Sequence, residues 1–288
     1  MSFIERALRS YRQLRAEIRR NSGYLARQEI ERLKAGLGGQ PARLEHHGFK
    51  VYSQSDEDGI IEEIFRRIGT HEGTFCEIGV ENGLECNSLY LLHKGWRGAW
   101  LEGNVGQKAA IEGKFRSLLA AKRLSLGIGM VAPDTLNDDI ATAFAAIGLD
   151  PERMDFLSID IDGMDIYLLE ALRFTPKVLC VEYNAKFPAG LNKRPVFDPA
   201  YSYNGADYMG ASLSALNEAA NGKGYVLVGT NFVGVNAFFV RKDLVGGGFA
   251  GPFTPAALYN PPRYYLLHDH YAQGVGHPAD FGPYVDLS

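Results

Sequence analysis

Acidic side chains close two apolar runs of this sequence, and that is where chemistry is first legible. The run DFLSI leads into Asp160-Ile161-Asp162-Gly163-Met164-Asp165, and KVLCV leads into Glu182-Tyr183-Asn184. Short apolar runs of this kind read as strands buried on both faces. Alternation puts Asp160 with Asp162 on one side of the chain, and Glu182 with Asn184 likewise. Neighbouring strand ends would then gather three or four oxygen side chains. Acids so gathered repel one another unless a positive charge lies between them. Two arrangements relieve this. Asp162 or Asp165 can cap a helix starting near Ile166, worth about 1 kcal/mol. Alternatively, the oxygens can hold a hard divalent cation. Asp160, Asp162 and Asp165 are the catalytic candidates here, joined by His268 and His270 of the HDHY segment, because deprotonating a hydroxyl needs a base.

A second stretch, residues 74–104, reads as strand, glycine turn, helix, strand and acid. Residues 75–78 are the first strand, and Gly79 and Gly83 allow a sharp turn with close backbone approach to a ligand. A helix is expected over 85–93, stopped at Gly95. The second strand, 98–101, ends in Glu102, where an acid can accept hydrogen bonds from ribose hydroxyls. The turn is G-x-x-x-G, so the dinucleotide fingerprint is not met, and the chain has no P-loop motif. Glu77 and Glu81 in the turn would repel a pyrophosphate. A nucleoside with a cationic end and no phosphate fits better, and S-adenosylmethionine (SAM) is such a ligand. An ordinary βαβ turn with no ligand is the alternative.

This stretch resembles motifs I and II of the class I SAM-dependent methyltransferases, through Glu77–Gly83 and Glu102. The resemblance implies an α/β Rossmann-like fold with a mostly parallel seven-stranded sheet. It also implies that Glu77, Gly79, Asn82, Gly83 and Glu102 hold SAM. The segment SIDIDGMDIYLLEAL is similar to the segment after strand four in FkbM-like methyltransferases and in Mg-dependent sugar O-methyltransferases. Carried across, Asp160 and Glu182 would be ligands of Mg2+ or another divalent cation, with Asn184 or Asp162 as the third. The activity implied is O-methyl transfer to a sugar hydroxyl of a polysaccharide, nucleotide sugar or glycosylated metabolite. A catalytically silent methyltransferase fold used as a scaffold is the alternative. The residues 225–241, VLVGTNFVGVNAFFVR within them, leave no room for a crossover helix, so the last two strands must be antiparallel. That matches the reversed last strand of the same family.

The remaining elements position these groups. A helix is expected over 56–68, capped by Ser53 or Ser55, which accounts for SQSDEDG by capping alone. Helices over 105–120 and 133–147 and a strand over 123–131 continue the alternation that makes a parallel sheet covered on both faces. Residues 185–209 form a long insertion after strand five, rich in Tyr, Phe and Lys. Such loops are usually functional, and aromatic faces beside cations suit a sugar or sugar phosphate.

The chain is 46% hydrophobic with a net charge of −4, enough for a full core and unfavourable for nucleic acid. Its 3 cysteines, Cys76, Cys86 and Cys180, form no C-x-x-C pair and suit a reducing cytoplasm. The Arg-rich start lacks an apolar core, so no secretory leader is expected. Three segments are expected: a basic amphipathic helical segment at 1–40, a SAM-binding domain at 41–244 and a Gly/Pro/Tyr-rich tail at 245–288. Ile4, Leu8, Tyr11, Leu14 and Ile18 recur at helical spacing, with a break near residues 21–23. That helix either packs on its own domain or a second subunit, or contacts anionic lipid or a glycan carrier at the inner face of a membrane.

Overall fold

The computed structural model describes residues 2–38, 40 and 42–266. His268 and His270 lie outside the described residues.

Five strands alternate with helices and pair in parallel: β1 (Thr74–Ile78), β2 (Arg97–Glu102), β3 (Leu124–Ile128), β4 (Phe156–Ile159) and β5 (Val178–Glu182). The last two, β6 (Tyr225–Thr230) and β7 (Asn236–Arg241), are joined by residues 231–235 alone, too few for a parallel crossover. β7 accordingly runs antiparallel to both β5 and β6. The order is β3-β2-β1-β4-β5-β7-β6. This is a mixed, doubly wound Rossmann-like sheet, and the strand order reverses between β1 and β4.

Alternation along the strands feeds two cores. Cys76, Ile78, Leu101, Leu157 and Leu179 face α6 (Leu136–Ala146), α7 (Asp165–Ala171) and α8 (Leu213–Gly222). Phe75, Trp100, Phe156 and Phe238 face α2 (Glu57–Arg67), α3 (Leu89–His93), α4 (Lys108–Lys114) and α5 (Arg116–Ala120). Trp100, Phe75, Phe115, Phe144 and Phe156 are fully buried, each worth about 1.5–3 kcal/mol over exposure.

Several elements differ from the sequence expectation. α1 is one uninterrupted helix, Phe3–Gly36, and Gly23 does not break it. Ahead of α2, a 3-10 turn at Leu44–His47 puts Leu44 into the core. The helix expected over 85–93 begins only at Leu89. Its first turn is displaced by an irregular path in which Asn87 and Ser88 donate to the Glu77 carboxylate. The helix expected over 105–120 is divided at Phe115, which turns into the core.

Gly79 fixes how closely β1 and β4 end. Its φ is +84°, and a Cβ there would run into the carbonyl oxygen of Asp160. Gly79→Ala should therefore cost more than about 2 kcal/mol, combining left-handed strain with displacement of the Asp160 backbone. Gly113→Ala, with open space around it, should be neutral or slightly stabilising. Urea unfolding of both variants checks this, and equal midpoints would mean the two strand ends can move apart freely.

Candidate active site

The glycine turn leaves β1 at Ile78 and is held from below by Glu102. Glu102 Oε2 accepts from the N–H groups of Val80 (3.0 Å) and Glu81 (2.7 Å), and Oε1 accepts from Asn104 (2.6 Å). A carboxylate offers about four lone-pair sites. Oε2 is saturated and Oε1 keeps one site, so Glu102 as it stands can take one further donor rather than a pair. Asn82 is exposed, and its Oδ1 accepts from Leu84 N–H (2.9 Å), leaving the amide NH2 outward. Gly83 has φ +77° and lies against the rings of Trp100 and Phe115. Glu77 does not face the crevice. It is 2% exposed, and its oxygens accept from Asn87 N–H (2.7 Å), Ser88 N–H (2.9 Å) and the Ser88 hydroxyl. That hydroxyl accepts in turn from Trp100 Nε1–H (2.8 Å). Glu77 is a brace of the turn. By alternation it shares a face with Phe75, which packs among the side chains of α2 and α3.

Asp160, Asp162 and Glu182 come together at the ends of β4 and β5, each offering an oxygen within 4.8 Å of the others. Asp162 is half-buried with φ +57°, an unusual conformation for a residue with a side chain. Glu182 is 4% exposed, and its Oε2 has no hydrogen-bond partner. Asn236 stands opposite Glu182 in the β5–β7 ladder, and its Oδ1 is likewise buried without a partner. Burial, and after it the neighbouring carboxylates, pushes Asp160 and Glu182 well above the ordinary carboxylate range. Asp165 is different. It is fully buried, and its oxygens accept from Ile161 N–H and Gly163 N–H, both at 2.9 Å, shaping the loop after β4. Asn184 stays out of the cluster, because its amide donates to the Asp207 carbonyl (2.9 Å) and its Oδ1 accepts from Lys186 N–H (3.1 Å).

Two buried acceptor oxygens without donors are what a hard cation would satisfy, so the residues present fit a divalent ion. The fitting set is Asp160, Asp162 and Glu182, with Asn236 beside it.

Other segments reach the same edge of the sheet. Glu57, which the sequence reads as a helix-start acid, is fully buried and accepts from Ser55, Asn231 and Asn236. It ties the SQSDEDG segment to the β6–β7 hairpin. Asp58 Oδ2 accepts from three successive N–H groups, Val51, Tyr52 and Ser53 (2.6–2.9 Å). Lys50 Nζ bridges the Gln54 carbonyl and Glu85 Oε2, both at 3.1 Å, and so pins this segment to the glycine turn. From the insertion, the ring of Tyr201 covers Gly163, where no Cβ could fit. Tyr201 feels the charges of Asp162 and Glu182, and Tyr264 feels Glu182. A groove of about 440 Å³ runs along the open edge strand β3, lined by Leu101, Leu126, Met130 and Ala143 among others, and touches none of these residues.

No known family profile matches the sequence, and no curated protein does. Solved structures do match. TomG, an O-methyltransferase of Streptomyces achromogenes involved in tomaymycin synthesis and solved with SAM, is 17% identical, covering 65% of this chain and 80% of its own (TM-score 0.40). A candidate O-methyltransferase of Klebsiella pneumoniae is 13% identical, covering 77% of this chain and 97% of its own (TM-score 0.41). The precorrin-6y C5,15-methyltransferase of Geobacter metallireducens is 14% identical, covering 51% and 73% (TM-score 0.32). Likeness at this level transfers no residue role.

The buried acids set a pH dependence. Burial pushes Asp56 up to about 7, helped by the charge of Glu57, and burial also pushes Glu77 up to about 7. A folded-state value above the unfolded one means the native state binds more protons in between. Stability is then fully present below the ordinary carboxylate range and is lost as pH rises through 7. With EDTA present, Tm should fall between pH 6 and pH 8. A flat or rising Tm over that interval would show that these carboxylates ionise in place without cost.

Proposed function

We propose that this chain is a SAM-dependent methyltransferase acting on a hydroxyl of a small, sugar-like acceptor. The observation that carries the proposal is a convergence. The glycine turn braced by Glu102 and the Asp160, Asp162 and Glu182 carboxylates meet at the β1/β4 reversal, where open α/β sheets take their ligands. When bound, SAM supplies an activated methyl group on a sulfonium. Glu102 Oε1 would accept from one ribose hydroxyl. The backbone of residues 79–83 and the amide of Asn82 flank the rest of the cofactor, and exposed Glu81 offers negative charge to its ammonium end.

On the acceptor side, Asp162 is the proposed base, being half-buried with its carboxylate toward the cluster. Asp160 and Glu182 orient the acceptor or hold a divalent cation, with Asp162 in place of Asn184 as the third ligand. Such a cation would stabilise the developing alkoxide and lower the demand on the base. Tyr201 and Tyr264 beside the acids, with Tyr203 and Tyr208 exposed nearby, offer ring faces to a sugar.

The scaffold alternative draws on one observation: Glu77 and most of Glu102 are engaged with the turn itself. Calorimetry with SAM separates the two, and absence of binding heat would favour the scaffold. Glu102→Ala should weaken SAM by about 10- to 100-fold, the scale of a charge-assisted hydrogen bond and the turn it holds. Asp162→Asn should fold normally, since Asn tolerates a left-handed backbone. It should bind SAM like the parent and lose about 100-fold or more in turnover. Undiminished turnover would remove Asp162 from the mechanism. Manganese binding followed by electron paramagnetic resonance should weaken in Asp160→Asn, and an unchanged signal would sink the cation assignment.

A further inference from the structure

We infer that the first five turns of α1 lie on the surface of a bilayer containing anionic lipid. Every residue from 2 to 21 whose side chain is described is exposed. Packing begins at Gly23 and continues through Ala26, Ile30 and Leu33, which seat on Val233, Val235 and Leu266. The helix does not fray at its start, because Ser2 and Glu5 form a reciprocal capping box. Residues 3–21 therefore form a stiff arm about 28 Å long at 1.5 Å per residue.

The arm has two unlike sides. Phe3, Ile4, Leu8, Tyr11, Leu14 and Ile18 are 81, 69, 50, 62, 57 and 56% exposed. At 3.6 residues per turn they share a face about 140° wide, roughly a quarter turn from the seated face of Ala26, Ile30 and Leu33. The two faces overlap only at the Leu8 edge, and the six large apolar side chains of the arm all stay exposed. Arg6, Arg9, Arg12 and Arg20 occupy the other side, and Arg15 lies at the Leu8 edge of the apolar face. Residues 1–22 carry six Arg and two Glu, net +4, on a chain of net −4, so the remainder is −8.

This charge division selects the occupant. A wide apolar face backed by arginines sinks into the boundary between headgroups and acyl chains, with the guanidinium groups reaching lipid phosphates. A second copy would bring like charge, since the arm has too few acids to pair with the arginines of another. Its heptad seam is also short: Ile4, Ala7, Tyr11, Leu14 and Ile18 are followed by Asn21, fewer than the three or four apolar heptads a coiled coil sustains. Among the described residues no helix is long and apolar enough to cross a membrane, which fits an arm that lies flat.

The test uses the full chain with vesicles of phosphatidylcholine, with and without phosphatidylglycerol. The chain should sediment only with vesicles containing phosphatidylglycerol, and high salt should release it. Arg9→Gln, Arg12→Gln and Arg20→Gln together should lower partitioning by about 100-fold. Ile4→Ser with Leu14→Ser should abolish it, and Tyr11→Trp should shift its emission to the blue on those vesicles. All these positions are exposed, so circular dichroism should be unchanged. The inference fails if the chain ignores phosphatidylglycerol vesicles. It also fails if light scattering finds a dimer that Ile4→Ser with Leu14→Ser dissociates while no vesicle binding occurs, because a second copy then covers the face. It does not depend on the methyl-transfer proposal, and calorimetry with SAM reads that separately.

Discussion

The close approach of Gly79 to the Asp160 carbonyl is the constraint on which the rest depends. It brings the ends of β1 and β4 together where the sheet reverses, and only a residue without a side chain allows it. Because those ends are close, the turn after β1 has to bend away at once, through a second left-handed residue at Glu81 and a third at Gly83. Glu102 meets the bend from β2 and holds it by two N–H groups. The loop after β4 bends the other way, through Asp162, and is held by Asp165.

An unusual density of carboxylates surrounds the crevice, and they fall into two groups. Glu57, Glu77, Glu102 and Asp165 are satisfied by backbone N–H groups, amides and hydroxyls, so their charge serves to fix loops. Asp160, Asp162 and Glu182 are held near one another with no cation among the described side chains of their cluster. Burying like charges without compensation raises their proton affinity and stores repulsion. A fold that needed these acids only as loop caps would satisfy them as it satisfies Asp165. The contrast between the two groups is the physical basis for assigning function to the second.

Much of this was legible in the sequence. The hairpin of β6 and β7 follows from the shortness of residues 231–235, and the acids at 160 and 182 stand out because each closes an apolar run. Other roles depend on side-chain direction at loops, which spacing does not fix. Asn184 looks equivalent to Asp162 by alternation, yet it anchors the insertion through Asp207 and Lys186. Glu57 looks like an ordinary helix-start acid, yet it holds Asn231 and Asn236, far away in the chain. Gly23 looks like a break in α1, but a single glycine in a helix costs only about 1 kcal/mol, and here it is a buried position of the helix.

The placement of β7 has a consequence for the order in which the chain can be assembled. β6 precedes β7 in the chain, yet among the described residues its only strand neighbour is β7. β5 pairs with β7 on that side through the backbone groups of Lys177, Leu179, Val181 and Tyr183. The sheet therefore becomes continuous only when one six-residue segment, Asn236–Arg241, lies between β5 and β6. The carboxylate of Glu182 acquires its neighbour Asn236 in that same event, so the acidic crevice is finished at the moment the nascent sheet loses its last unpaired interior edge.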